Sequence, residues 1–316
     1  MAQVADWWQA TFPKGRQTLN ILDAGNRKVA IAYGEIGSGQ PLFLLHGIGS
    51  WSYNWRSCVA RLARSFRVIC VDAKGYGFSE TPPPPETMGH QQIELVRIIQ
   101  ALSQQPVAIA AESLGALTAL AVAQTHPELI DRLVVINVPI FPKKLPSEGM
   151  RSIVRLPLSL IRWVDQSRLI RLFAPLVRYG AHRVRQEVVA DAAAITAEEI
   201  YWLTYPYLNV PGTLTQFATD LHLAAGEIDR LQAPPSSHAP QPNLIAHIQQ
   251  NLDRITCPTL ILWSECDRWF PVEDGVALQA RLPNARLQII PGCGHVASSG
   301  DPKAVSAAIL EFCGFV

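Results

Sequence analysis

A mostly parallel α/β sheet, covered by helices on both faces, is the architecture this sequence predicts. Three observations carry it: eight short runs dominated by apolar residues, helical patterns between most of them, and one place where that alternation stops for about 115 residues. At 316 residues and 48% hydrophobic composition, the chain can bury a substantial core as one large domain or two ordinary ones.

The elements follow in order. QTLNILDA (17–24) and KVAIAYGEI (28–36) are separated by a short polar turn and predict an antiparallel pair at one sheet edge. PLFLLHG (41–47), FRVICVDA (66–73), PVAIAAES (106–113) and DRLVVINV (131–138) then predict strands buried on both faces, with helices expected at 55–65, 88–102 and 114–124. PTLILWSE (258–265) and ARLQIIPG (285–292) resume the pattern, followed by helices at 272–282 and 302–312. Between the sixth and seventh strands, residues 141–255 are too long for a loop and predict an inserted helical unit, which leaves 1–140 and 256–316 as the core domain. Within the insert, Thr196 and Glu199 form a capping-box pattern. The tract QAPPSSHAPQP (232–242), rich in Pro and Ser, predicts a flexible joint.

Composition narrows the function. Lys and Arg total 27 against 26 Asp and Glu, so a net charge of +1 gives no general attraction to nucleic acid, and no such partner is expected. The six cysteines show neither CxxC spacing nor the density of a disulfide scaffold. The N-terminal stretch has no basic region leading into an apolar core, and no run of about 18 apolar residues occurs. A soluble, cytoplasmic protein with free thiols is the expectation.

The chemistry begins in VAIAAESLGAL (107–117). Ser113 stands between a buried strand and a helix, with small residues two positions either side, Ala111 and Gly115. A sharp strand-to-helix turn of this kind lifts a hydroxyl above the strand ends, although a serine there could equally be an N-cap. A serine nucleophile needs a base and an orienting acid. Asp267 follows the seventh strand and His295 the eighth; parallel strands deliver both to the same edge as Ser113, and the 28 residues between them fit one helix and one strand. After the third strand comes HGIGS (46–50), whose small residues can turn the N–H of Ile48 toward the elbow. With the N–H of Leu114 it would supply two donors to a developing oxyanion.

Taken together, HGIG (46–49), DAKGYGFS (72–79), AESLG (111–115), CD (266–267) and GCGH (292–295) resemble the α/β-hydrolase family with a helical cap, over nearly the full chain. The resemblance implies Ser113 as nucleophile, Asp267 as acid and His295 as base, with no metal and no organic cofactor, and it makes the Asp72 stretch a structural turn. Ala111 departs from the glycine usual in the family but is still small. A serine nucleophile, rather than aspartate, sets the chain apart from the family's dehalogenases and epoxide hydrolases.

Neighbouring residues have competing readings. Glu265 is an alternative triad acid, Glu112 is expected to make a structural hydrogen bond, and Cys266 and Cys293 are expected to pack. From Lys143 to Arg185, ten Lys or Arg stand against Glu148 and Asp165, a net +8. Arg168, Arg171, Arg178 and Arg185 recur at helical spacing, with Leu169, Leu172, Phe173 and Leu176 on another face. This predicts a cap that buries its apolar face on the sheet and solvates its arginines, or a lid that meets anionic lipid. Among the insert's aromatics, Tyr201, Trp202, Tyr205, Tyr207 and Phe217, some should line a cavity beneath the cap. The function expected is cleavage of a small apolar or lipid-like ester. A carbon–carbon bond hydrolase of a diketone-like compound is the alternative, against which stand Val296, not an aromatic, after the base and no evident cap arginine for a substrate carboxylate. A ligand-binding protein with a slow residual triad is the third. The oligomeric state is not legible.

Overall fold

The computed structural model describes residues 6–81, 86–233 and 243–315. Eight strands form one sheet: β1 (Gln17–Leu22), β2 (Lys28–Ile36), β3 (Pro41–Leu45), β4 (Arg67–Val71), β5 (Val107–Glu112), β6 (Ile130–Ile136), β7 (Thr259–Ser264) and β8 (Ala285–Ile290). Their order is β1-β2-β4-β3-β5-β6-β7-β8. β1–β2 and β2–β4 pair antiparallel, and every pair from β4 to β8 is parallel. All eight predicted runs are strands.

Thirteen α-helices occur among the described residues. α1 (Trp7–Thr11), α2 (Arg56–Leu62), α3 (His90–Leu102) and α4 (Leu114–Thr125) belong to the first half. α5 (Glu148–Val154), α6 (Leu158–Gln166), α7 (Ala174–Val188), α8 (Ala197–Asn209), α9 (Thr213–Gln232) and α10 (Leu244–Gln250) lie between β6 and β7. α11 (Val272–Gln279), α12 (Ala297–Gly300) and α13 (Pro302–Phe312) complete the chain. Alternation along each strand divides the core. Phe43, Leu45, Ile69, Val71 and Ile109 face the layer of α3, α4 and α11, whereas Leu42, Leu44, Val68, Cys70 and Ala108 face α1, α2 and α13.

The inserted stretch between β6 and β7 is helical, as predicted. Its last helix, α10, returns to the core, where Ile245 and Ile248 are buried and Gln124 Nε2 donates to the Ile248 carbonyl at 2.8 Å. The Thr196 cap forms, its hydroxyl accepting from the Glu199 N–H at 3.1 Å, but the Glu199 carboxylate does not complete the box; it pairs instead with Arg56 and Arg185. Most of the predicted joint, 234–242, lies outside the described residues.

Strand order also locates the site. From β3 the chain steps to β4 on one side and later to β5 on the other, so the loops after β3 and β5 diverge and leave a crevice at their carboxyl ends.

Candidate active site

Ser113 is the single residue between β5 and α4. Its φ of 54° and ψ of −124° are costly for a side chain bearing a Cβ. Two anchors hold it there: its N–H donates to the Ile136 carbonyl at 2.9 Å, and its carbonyl accepts from Ala116 at 2.9 Å and Leu117 at 3.2 Å. Close approach explains two glycines. A Cβ on Gly47 would come within 2.9 Å of the Ser113 Cβ, and one on Gly115 within 2.5 Å of the His46 carbonyl oxygen. Ala111 needs no such space; it is fully buried in β5 between Leu45 of β3 and Val135 of β6. The hydroxyl is not used as a helix cap. It makes no capping bond, and it lies 3.1 Å from His295 Nε2.

His295 and Asp267 arrive from the ends of β8 and β7. His295 Nδ1 lies 2.8 Å from Asp267 Oδ2, while Asp267 Oδ1 accepts from the Trp269 N–H at 2.8 Å and the Phe270 N–H at 3.1 Å. Both carboxylate oxygens are therefore occupied. With a carboxylate facing Nδ1, that nitrogen carries the proton and Nε2 is left to accept from the serine hydroxyl. The Trp269 and Phe270 rings flank the imidazole at 4.7 and 5.4 Å between centroids, and the His295 and Asp267 side chains are 2% and 0% exposed. Glu265, the alternative acid, lies away from His295 Nδ1: it is exposed, and its Oε2 accepts from the Gly292 N–H at 2.8 Å. The Cys266 N–H donates to the Cys293 carbonyl at 2.8 Å, joining the two turns; burial pushes the Cys293 thiol up to about 11, so it is no thiolate at neutral pH.

The predicted donor pair is available. Among the described residues no acceptor engages the N–H of Ile48 or of Leu114, the latter being the first residue of α4 and so an orphan donor of its helix. His46 fixes the loop that carries Ile48. Its Nδ1 meets the Gly47 carbonyl at 2.8 Å and its Nε2 accepts from the Ala73 N–H at 3.0 Å. Burial lowers its pKa to about 4, so it is neutral and serves as a strut. Asp72 accepts from the N–H and hydroxyl of Ser52 and from the Phe78 N–H, the structural turn expected of that stretch; burial lifts its carboxyl to about 6.

Sequence reasoning missed Asn137. It follows β6 with φ at 48°, donates through Nδ2 to the His295 carbonyl at 2.6 Å and to Ser264 Oγ at 2.9 Å, and accepts from the Ser264 N–H at 2.8 Å. The available signal was an asparagine at a strand end, one of the few non-glycine residue types that tolerate that backbone. Glu112 is structural as expected, bonded to Ser298 and to Asn54, with burial raising its pKa.

Two cavities share Ile48, Ser113, Met150 and Trp269 in their walls. The larger, of about 410 Å³, runs under the cap; the smaller, of about 60 Å³, is apolar. Of the insert's aromatics, Tyr207 and Phe217 line the larger one. Trp202 instead packs on Tyr53 and Trp51, whose Nε1 donates to the Trp202 carbonyl at 3.0 Å. Among the described residues, two buried donors lining the larger cavity have no hydrogen-bond partner, the Tyr207 hydroxyl and Arg185 Nε. Arg185 is thus the cap arginine that the sequence did not place at a cavity. The four spaced arginines do not share a solvated face: Arg168 and Arg171 donate to the Asn209 and Leu208 carbonyls, Arg178 lies over Tyr201, and Arg185 is buried against Glu199. Leu172, Phe173 and Leu176, expected to pack on the sheet, are exposed.

The family profile described as alpha/beta hydrolase fold matches residues 40–302. A 2-hydroxy-6-oxononadienedioate/2-hydroxy-6-oxononatrienedioate hydrolase of Cupriavidus pinatubonensis is 26% identical, over 97% of this chain and 98% of that protein. An alpha/beta hydrolase fold protein from Burkholderia ambifaria superposes with a TM-score of 0.74 at 23% identity, covering 94% and 99% of the two chains. An esterase from Thermogutta terrifontis gives 0.68 at 20% identity, covering 94% and 98%.

Proposed function

The chain belongs to the alpha/beta hydrolase fold family, and from that premise we propose a serine hydrolase that cleaves a carboxylic ester of an apolar, lipid-like small molecule through an acyl-enzyme. One observation carries the reading: an aligned relay, 2.8 Å from Asp267 to His295 and 3.1 Å from His295 to Ser113, opens where two cavities of unequal size meet.

In this reading Ser113 Oγ adds to the ester carbonyl carbon while its proton passes to His295 Nε2, and Asp267 steadies the imidazolium. The Ile48 and Leu114 amides receive the negative charge on the carbonyl oxygen. The carbon–oxygen bond to the alcohol breaks as His295 returns the proton to the leaving oxygen. Water, deprotonated by His295, then releases the acid and restores the serine. The larger cavity takes the bulky arm of the ester and the smaller apolar one the short arm.

A second reading has its own support. The unpartnered Tyr207 hydroxyl and Arg185 Nε suit a substrate with an oxygen-rich end, and the Cupriavidus relative is named for a substrate with an oxo group and two carboxylates. A diketone-like compound cleaved at a carbon–carbon bond fits that pair, although Val296 still follows the base. Turnover of a chain-length series of aryl esters, measured beside a vinylogous diketone acid, separates the two. The ester reading expects measurable ester turnover with a chain-length optimum and little diketone cleavage. Cleavage of the diketone alone, lost in Arg185→Met, would replace it with the second reading.

A further inference from the structure

We infer that the outer face of the cap, residues 156–179, docks on an anionic lipid membrane. Seven of the eleven large apolar side chains found exposed among the described residues fall in this short segment: Leu156, Leu160, Trp163, Leu172, Phe173, Leu176 and Tyr179. Leu172 is 75% and Leu176 65% exposed. Together they leave a contiguous stretch of apolar surface in water, on a helical layer that already has an inward face. That inward face is in use, because Ile153, Ile170, Val177 and Val184 line the larger cavity.

Charge selects the occupant. Residues 156–179 carry Arg162, Arg168, Arg171 and Arg178 against a single carboxylate, the buried Asp165, and Arg162 and the nearby Arg183 have no ionic or hydrogen-bond partner among the described residues. A second copy meeting this surface about a two-fold axis would set like charge against like charge. Anionic headgroups meet it with opposite charge, while arginines snorkel beside inserted Trp, Phe and Leu side chains. Among the described residues no helix is long and apolar enough to cross a membrane, so the contact is peripheral. If the proposed ester hydrolysis holds, α7 presents one face to lipid and the other to the substrate cavity, and the substrate is an ester drawn from the bilayer.

The test is flotation of the full-length Ser113→Ala protein with mixed phosphatidylcholine–phosphatidylglycerol vesicles and with phosphatidylcholine alone. Binding needs no turnover, so its outcome is independent of the hydrolase reading. The expected result is binding to the anionic vesicles that falls about tenfold in a Leu172→Ser, Phe173→Ser, Leu176→Ser variant and severalfold in Arg162→Gln, Arg183→Gln or in high salt. The same substitutions in the otherwise wild-type chain should leave melting temperature and turnover of a soluble ester unchanged. Absence of binding, or binding indifferent to the apolar substitutions, overturns the inference. So does a dimer that those substitutions split while vesicles are ignored, which would make the face an interface between copies.

Discussion

The strand-end half of the site and the cap above it are built on opposite terms. Below, the ends of β5, β6, β7 and β8 bring Ser113, Asp267 and His295 together, each tied down by a hydrogen bond that uses at least one backbone group, with the His295 and Asp267 side chains almost wholly buried. Above, the cap is pinned at a few places: Glu199 between Arg56 and Arg185, Asp220 against Tyr76 and Gln91, and Trp202 over Trp51. Its outer face is left apolar and exposed. The lower half is rigid enough to set reaction geometry, and the upper half can vary in shape and surface without disturbing it.

The strongest way to break this division is at the nucleophile. Ser113→Ala should lower turnover by about three orders of magnitude or more with the fold intact, since only a hydroxyl is removed from a strained turn. Retained turnover of an activated ester would place the chemistry elsewhere.

Asn137→Ala tests whether strand ends position the base. Loss of its bonds to the His295 carbonyl and Ser264 should reduce kcat by about 10²-fold with KM little changed, because small misplacements of a reacting group are costly. A rise in KM alone would make Asn137 a contributor to the pocket and not to the base.

His46 sharpens the same point through pH. Its pKa falls from 6.5 to about 4 on burial, so the unfolded chain binds the extra proton between those values. Its contribution to stability is complete above pH 6.5 and is lost as pH falls toward 4. Asp72, raised to about 6, runs the opposite way over the overlapping range and is common to both proteins compared. The stability gap between wild type and His46→Gln should therefore narrow by roughly 2–3 kcal/mol from pH 7 to pH 4.5, measured by urea denaturation. A gap independent of pH would contradict a buried neutral imidazole.

The smallest expected effect belongs to the cap. Leu214→Ala enlarges the larger cavity and should shift ester preference toward bulkier chains by about tenfold. The rate of covalent labelling at Ser113 should not move; a large fall would show that cap and strand ends are not separable.

The legibility of the sequence follows the same boundary. Strands buried on both faces appear as continuous apolar runs, and the parallel arrangement carries Ser113, Asp267 and His295 to one edge, so the relay was readable from spacing. Asn137 was not, because its role is a left-handed turn and two hydrogen bonds across the sheet. In the cap, helical periodicity located an apolar stripe but not what covers it. A 3₁₀ segment, Leu169–Phe173, changes the phase between α6 and α7, and the arginines expected on one face go to carbonyls, a ring and a buried carboxylate.

Covalent labelling with a fluorophosphonate, mapped by mass spectrometry, tests the relay most directly. A single adduct on Ser113 is expected, formed rapidly in the wild type and orders of magnitude more slowly in His295→Ala. No adduct, an adduct on another residue, or equal rates in the two proteins would rule the relay out.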